Sequence, residues 1–163
     1  MSDQPFSLDL LYQTIEQHLQ QSLVGIQMVR FWPDIQQHIP LPAVFLDIAE
    51  IEPGTDIGTG ESTLNVTFEA RVIVDVIRDQ HYQQAIHLAT QLAVLLRAQT
   101  WGLEVEPAEF VRSTQDWTRP ELDGYTVWLV EWTQTIYLGE KEWPWSDEAP
   151  GTLMFSEGAE DQV

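Results

Sequence analysis

Apolar and polar residues alternate most regularly over residues 43–77, where the pattern predicts two antiparallel strands joined by a turn. In the second strand, the even positions from Leu64 to Val76 are apolar, whereas most odd positions are polar and include Glu69, Arg71 and Asp75. Such alternation is typical of a strand with one buried and one solvated face. A long hairpin with a polar outer face suits a protein that pairs with other subunits.

The turn of this hairpin has the pattern Asp-x-Gly-x-Gly, formed by Asp56, Gly58 and Gly60. Glycine is the residue that most readily adopts the backbone conformations of tight turns. We expect this loop, together with the polar face around Arg71, to contact a neighbouring subunit or another assembly partner.

Two segments show helical periodicity. Ser7 is placed to cap a helix over residues 8–23, which Gly25 ends. A second helix is predicted over residues 79–99, with a stripe of apolar side chains and Gly102 as the stop signal. The stripe comprises Ala85, Ile86, Ala89, Leu92, Ala93 and Leu96.

Three further strands are predicted over residues 26–32, 105–112 and 125–138. Pro107 would place the second of these at an edge or a bulge. The order of elements predicts an α+β fold, with a mixed, mainly antiparallel sheet, a long β-hairpin and two main helices packed on one face.

The composition changes at Gly139, which divides the chain into a domain over residues 1–139 and an acidic tail over residues 140–163. The tail holds seven acidic residues and one lysine. Segments of this composition order poorly unless they dock on a neighbour. Trp143 and Trp145, which flank a proline, are the candidate docking element.

The charge of the chain excludes several classes of partner. Twenty-six acidic residues face seven basic ones, which gives a net charge of −19. Nucleic-acid backbones and anionic lipids both require a basic surface, so we expect DNA to pass without specific binding and no membrane contact. The N-terminus lacks the pattern of a signal peptide, and no apolar run approaches a membrane span of roughly 18 residues. These features predict a soluble protein of a cytoplasm.

Catalytic and metal-binding patterns are absent from the sequence. There is no cysteine, no nucleophile elbow, no phosphate-binding glycine loop and no metalloprotease motif. The four histidines lack ligand spacing, and the acidic residues around the turn lack the spacing of a calcium loop. These acidic residues are Glu50, Glu52, Asp56 and Glu61. We therefore predict no catalytic residues, no cofactor and no metal.

Several of these segments together resemble one family. They are the strand ending in Asp-x-Gly-x-Gly, its return strand Thr67–Val74, the pair Trp101-Gly102, the segment Arg119–Trp132 and a Leu-Gly-x-x-x-Trp segment at residues 138–143. In this order they resemble bacteriophage tail terminator (tail completion) proteins, including prophage and phage-like contractile-tail members. The resemblance covers residues 7 to 143 and rests on composition rather than on a catalytic signature.

The resemblance implies an α+β structural subunit that forms a homohexameric ring on the head-proximal end of the tail tube. Such a ring stops tube polymerisation and presents the surface to which the head joins. The implied partners are the subunit itself, the tail tube protein and a head–tail connector or neck protein. The implied locations are the host cytoplasm during assembly and the tail of the finished particle.

For this role we predict that residues of the turn and of the polar strand face form an oligomer or tube interface. They are Asp56, Gly58, Gly60, Glu69, Arg71 and Asp75. We expect the substitution Arg71→Glu to weaken assembly while the monomer stays folded.

Other functions are compatible with the same sequence. A second head–tail connector or neck component would also be small, acidic and non-enzymatic. An inhibitor that mimics DNA would share the charge, but would not require the alternating hairpin. A hydrolase or other small-ligand enzyme would require a pocket with convergent titratable groups.

Overall fold

The computed structural model describes residues 5–36 and 38–142, which form two α-helices, five β-strands and one 3₁₀ turn. In chain order the elements are α1 (Leu8–Ser22), β1 (Met28–Phe31), β2 (Ala43–Pro53), β3 (Ser62–Asp75), α2 (His81–Leu95), β4 (Glu109–Gln115), the 3₁₀ turn (Pro120–Leu122) and β5 (Tyr125–Leu138). The predicted α+β fold is confirmed. No helix in the described ranges has the length and apolar content needed to cross a membrane.

The five strands form one sheet in the order β1-β2-β3-β5-β4. Strands β1 and β2 are parallel, and all other neighbours are antiparallel. Strand β3 is central, since it forms the predicted hairpin with β2 and also pairs with β5 along its entire length, from Ser62 opposite Leu138 to Asp75 opposite Tyr125. A bulge between Ile48 and Glu50 bends the outer half of β2.

Both helices pack on the same face of this sheet, as predicted. The Ser7 hydroxyl caps α1 by accepting the amide of Leu10 at 3.1 Å. Helix α1 buries Leu11, Ile15 and Leu19, and α2 buries a second apolar stripe. These side chains meet the even-numbered residues of β3 in the main core, where the rings of Phe68 and Trp132 stack at 5.1 Å. The apolar stripes of the two helices and the apolar face of β3 therefore pack into one hydrophobic core.

The opposite face carries a second, smaller core that the sequence pattern does not predict. Its buried members are Ala43, Phe45, Ile73, Leu122 and Val127. Ile39 and Leu41, from the proline-rich connection between β1 and β2, pack over it. The face expected to be solvated is therefore covered along part of its length.

Several predicted boundaries are wrong. The strand expected over residues 105–112 is Glu109–Gln115. Before it, the amide of Glu106 donates to the carbonyl of Thr135 in β5, and the amide of Ala108 donates to the carbonyl of Gln99 in the segment after α2. Helix α2 ends at Leu95 instead of residue 99. Val76 was expected on the buried face of the strand, but β3 ends at Asp75 and Val76 is 44% exposed. Ile86 belongs to the apolar stripe of α2 but is also 44% exposed.

Candidate assembly surfaces

The hairpin tip is a tight loop built from the Asp-x-Gly-x-Gly pattern. The Asp56 carboxylate accepts the amide of Gly58 at 2.8 Å, and Gly58 and Gly60 have φ angles of +79° and +85°. The amide of Gly54 bonds the carbonyl of Thr63 at 2.8 Å and closes the base of the loop. The two glycines occupy left-handed positions that other residues adopt at a cost.

The described part of the acidic tail rests on this loop. The amide of Glu142 donates to the carbonyl of Thr59 at 2.6 Å. A Cβ atom at Gly60 would lie 2.8 Å from Cβ of Glu142 and 3.0 Å from its backbone nitrogen. The absence of a side chain at Gly60 therefore makes room for the backbone of Glu142. The acidic tail thus begins beside the hairpin tip. Trp143 and Trp145, the candidate docking residues, lie outside the described residues.

We expect Gly60→Ala to release this contact as well as strain the loop. A left-handed alanine costs about 1–2 kcal/mol, and its methyl group would also displace Glu142. The amide of Glu142 should then exchange hydrogen faster. The control is Gly58→Ala, because Gly58 has a similar φ but open space at its Cβ position. Equal exchange at Glu142 in the two variants would contradict the packing role of Gly60.

The surface of the tip combines acidic side chains with exposed isoleucines. Ile51 and Ile57 are 52% and 50% exposed. A hydrogen bond to Glu52 and the charge of that carboxylate raise the pKa of Glu50. Among the described residues, no group of three or more His, Cys, Asp or Glu side chains lies close enough together to hold a metal ion. The acidic residues around the turn therefore do not form such a group. The tip presents negative charge and apolar area, both suited to a protein partner.

A row of three carboxylates crosses the polar face of the sheet. Asp47 lies opposite Glu69, and Glu69 lies opposite Glu131. Like charges in such positions destabilise a sheet, and here each carboxylate has an arginine beside it. The pairs are Arg119 with Asp47 at 2.9 Å, Arg71 with Glu69 at 2.7 Å and Arg112 with Glu131 at 2.9 Å. Three of the seven basic residues of the chain are used in this way.

Arg71 is the most buried of the three arginines that pair with this row. Its side chain is 8% exposed, and its Nε donates to a second carboxylate, that of Asp116, at 2.7 Å. Burial opposes the charged form of Arg71, but the hydrogen bonds to Asp116 and Glu69 outweigh it and raise the pKa. Burial likewise opposes the Asp116 carboxylate, while hydrogen bonds from Thr118 and Arg71 bring its pKa below the usual value.

This geometry corrects the expectation attached to Arg71. The side chain lies on the polar face, as predicted, but it is enclosed by carboxylates of its own subunit. Asp75, on the same face of β3, accepts the amide of Ile77 at the end of the strand. Since Arg71→Glu would place a third carboxylate beside Glu69 and Asp116, this substitution is expected to unfold the monomer.

The predicted interface residues therefore do not form one site. Asp56, Gly58 and Gly60 lie at the hairpin tip, whereas Glu69 lies about 23 Å along β3 from Ser62, the first residue of that strand. Their assignment to an interface remains a prediction.

The outer edge of β4 is a surface that sequence reasoning missed. Phe110 and Val111 are 48% and 50% exposed, and Trp117 just beyond the strand is 76% exposed. In the described part of the chain no strand pairs with this edge. At the other edge, by contrast, the Glu16 carboxylate of α1 accepts the amide of Phe31. An open edge with apolar side chains favours association.

Between the charge row and the tip, the polar face is an open trough of about 700 Å³. Its floor carries Asn65 and Thr135, whose side chains bond at 2.7 Å. Glu52, Glu106 and Glu109 line its walls. A trough with this lining suits a basic or polar surface of another protein.

No protein-family model matches the chain, and no curated protein matches it.

Proposed function

We propose that this protein is the tail terminator of a phage or phage-like particle. In this role it forms a ring on the head-proximal end of the tail tube, stops tube polymerisation and offers a joining surface to the head or neck. The proposal draws on the resemblance of the sequence to tail terminators, and it assigns the protein a structural role without catalysis or cofactor.

The observation that carries the proposal is that one sheet has two different surfaces with exposed apolar side chains. The hairpin tip exposes Ile51 and Ile57 among carboxylates, and the edge of β4 exposes Phe110 and Val111. Rings close through heterologous contacts, in which one face of a subunit meets a different face of the next. A subunit with a single self-complementary patch would instead form a twofold dimer.

The charge of the subunit supports the same role. A net charge of −19 keeps copies apart in dilute salt and is screened as the ionic strength rises. The same sign would allow DNA to pass through a ring without binding to its wall. The partners in this proposal are other copies of the chain, the tail tube protein and a connector or neck protein, first in the host cytoplasm and then in the particle.

The ring is tested by the native mass of the protein over a salt series. We expect a closed ring, of six subunits by the resemblance, that is favoured as salt screens the charge. The variant Val111→Glu should shift the protein to smaller species, because it places a charge on the edge of β4. Val94→Glu is the matched control, since Val94 is 69% exposed on α2. If Val111→Glu assembles like the control, the edge of β4 is not part of the interface.

A further inference from the structure

A groove crosses the polar face beside the second core. It lies between the proline-rich connection of residues 33–42 and the 3₁₀ turn, and consists of two adjoining clefts of about 250 and 370 Å³. Both clefts are lined by Ile35, Phe45 and Leu122. Phe45 and Leu122 are buried, and Ile35 is 39% exposed, so the groove has an apolar floor open to solvent.

The two ends of the groove are alike in chemistry. One end has Trp32, 53% exposed, and Arg119, which is paired with Asp47 at 2.9 Å and lies 3.8 Å from Glu121. The other end has Tyr125, 44% exposed, and Arg78, with Asp75 also in the lining. Each end therefore presents an aromatic ring and a guanidinium group, in a chain with only seven basic residues. This arrangement suits an extended peptide with large apolar anchors and an acidic side chain that can reach Arg78.

The chain itself carries such a segment at residues 143–148, with the sequence Trp-Pro-Trp-Ser-Asp-Glu. Two tryptophans provide large anchors, and Asp147 or Glu148 would complement Arg78. Pro144 restricts its own φ angle and disfavours the helical region for the preceding residue, which lowers the entropy lost on binding in an extended form.

A subunit cannot place these tryptophans in its own groove. The amide of Glu142 is held by Thr59 at the hairpin tip, and Cα of Trp145 lies at most about 11 Å from Cα of Glu142. Phe45, in the floor of the groove, is eight residues along β2 from Pro53, or about 26 Å. In addition, Lys141 lines a cleft with Phe6 and Val105, which belong to the helix side of the sheet.

We infer that residues 143–148 of one subunit dock in this groove on a neighbouring copy. The contact is heterologous, because the donor surface and the acceptor groove are different parts of the chain. The inference rests on the self-assembly in the proposed function and adds a specific contact to it. The tail leaves the hairpin tip of one subunit and binds between the 33–42 connection and the 3₁₀ turn of the next.

The direct test is a titration of a fluorescently labelled peptide of residues 143–148 into the full chain carrying Trp143→Ala and Trp145→Ala. We expect saturable binding that weakens about tenfold or more when Ile35→Glu or Arg78→Glu is added. The matched controls are Val94→Glu on α2 and Arg97→Glu just after it, which introduce the same changes of charge at exposed positions. Absent binding, or equal weakening by the controls, would overturn the inference.

A mixing experiment tests that the contact joins two subunits. The Trp143→Ala/Trp145→Ala chain keeps its groove, and the Ile35→Glu chain keeps its tail. We expect neither variant to form the wild-type assembly alone, whereas the mixture should form one-to-one heterodimers in sedimentation. A mixture that sediments as monomers would contradict docking between subunits.

The two proposals can fail separately. If wild-type rings form but the peptide does not bind, the docking contact is wrong and the tail terminator proposal stands. If the peptide binds in the groove but the protein neither forms rings nor associates with tail tubes, the contact stands and the proposed function is wrong.

Discussion

The substitution Arg71→Met is expected to lower the free energy of unfolding by about 3–5 kcal/mol. It removes the only cation in contact with the buried Asp116 carboxylate among the described residues, and it leaves Glu69 unpaired as well. Breaking a buried ion pair by removing one partner costs this much because the remaining charge stays in a poorly solvated place. Urea denaturation monitored by tryptophan fluorescence measures the effect.

Two further variants separate this cause from simple loss of a side chain. In Arg71→Met/Glu69→Gln/Asp116→Asn the unpaired charges are gone, so most of the lost stability should return. Arg112→Met removes the partner of Glu131, but its side chain is 60% exposed, so less than about 1 kcal/mol is expected. Equal losses in Arg71→Met and Arg112→Met would contradict the account of the buried arginine.

The same pair predicts a dependence on pH. The pKa of Asp116 in the folded protein lies below its usual value of 3.8, so its stabilising contribution is complete above that pH and is lost as the pH falls through the lower, folded value. Removing Arg71 takes away a hydrogen bond and an opposite charge that both lower the pKa of Asp116, so this pKa rises from its wild-type value. Acid unfolding of Arg71→Met should therefore begin at a higher pH than that of the wild type, and this shift should disappear when Asp116→Asn is added.

The substitution Gln134→Leu is expected to cost about 3 kcal/mol, although it replaces a polar residue in the main core with an apolar one. Gln134 is 2% exposed and fully hydrogen-bonded. Its Oε1 accepts the indole N–H groups of Trp101 and Trp132, and its Nε2 donates to the carbonyls of Gln99 and Glu106. Leucine would leave these four groups without that partner in a buried site.

The matched control is Gln91→Leu on α2. The side-chain oxygen of Gln91 is buried without a partner among the described residues, so its removal should change stability by less than about 1 kcal/mol. Thermal or urea unfolding of both variants provides the comparison. A Gln134→Leu variant as stable as Gln91→Leu would mean that Gln134 does not hold the segment after α2 to β5.

The fold could be predicted wherever one periodicity extended over many residues. The strand predicted over residues 125–138 is β5, with the same bounds. Alternation over 14 residues indicates a strand because only one of its two faces is then apolar enough to be buried. Helix α1 was predicted within one residue, because Ser7 and the stripe of Leu11, Ile15 and Leu19 give both its start and its face. The second core escaped prediction because the 33–42 connection has no period.

The candidate surfaces were predictable only where the chemistry is local. The two glycines after Asp56 indicated a tight turn, and the alternation of the strand placed Glu69 and Arg71 on the same face. Asp116 is 45 residues from Arg71, and only the pairing of β3, β5 and β4 brings them together. Gln134 could have been singled out from the sequence, because it is a polar residue at a core-facing position between Trp132 and Ile136.

The most direct test of the proposed function is the growth of tail tubes in the presence of this protein. Purified cognate tube protein would be polymerised with and without it, and tube lengths and ends would be recorded by negative-stain electron microscopy. We predict shorter tubes with a ring-shaped density at one end only, and loss of both effects with Val111→Glu but not with Val94→Glu. Tubes of unchanged length with bare ends, at every salt concentration, would contradict the account.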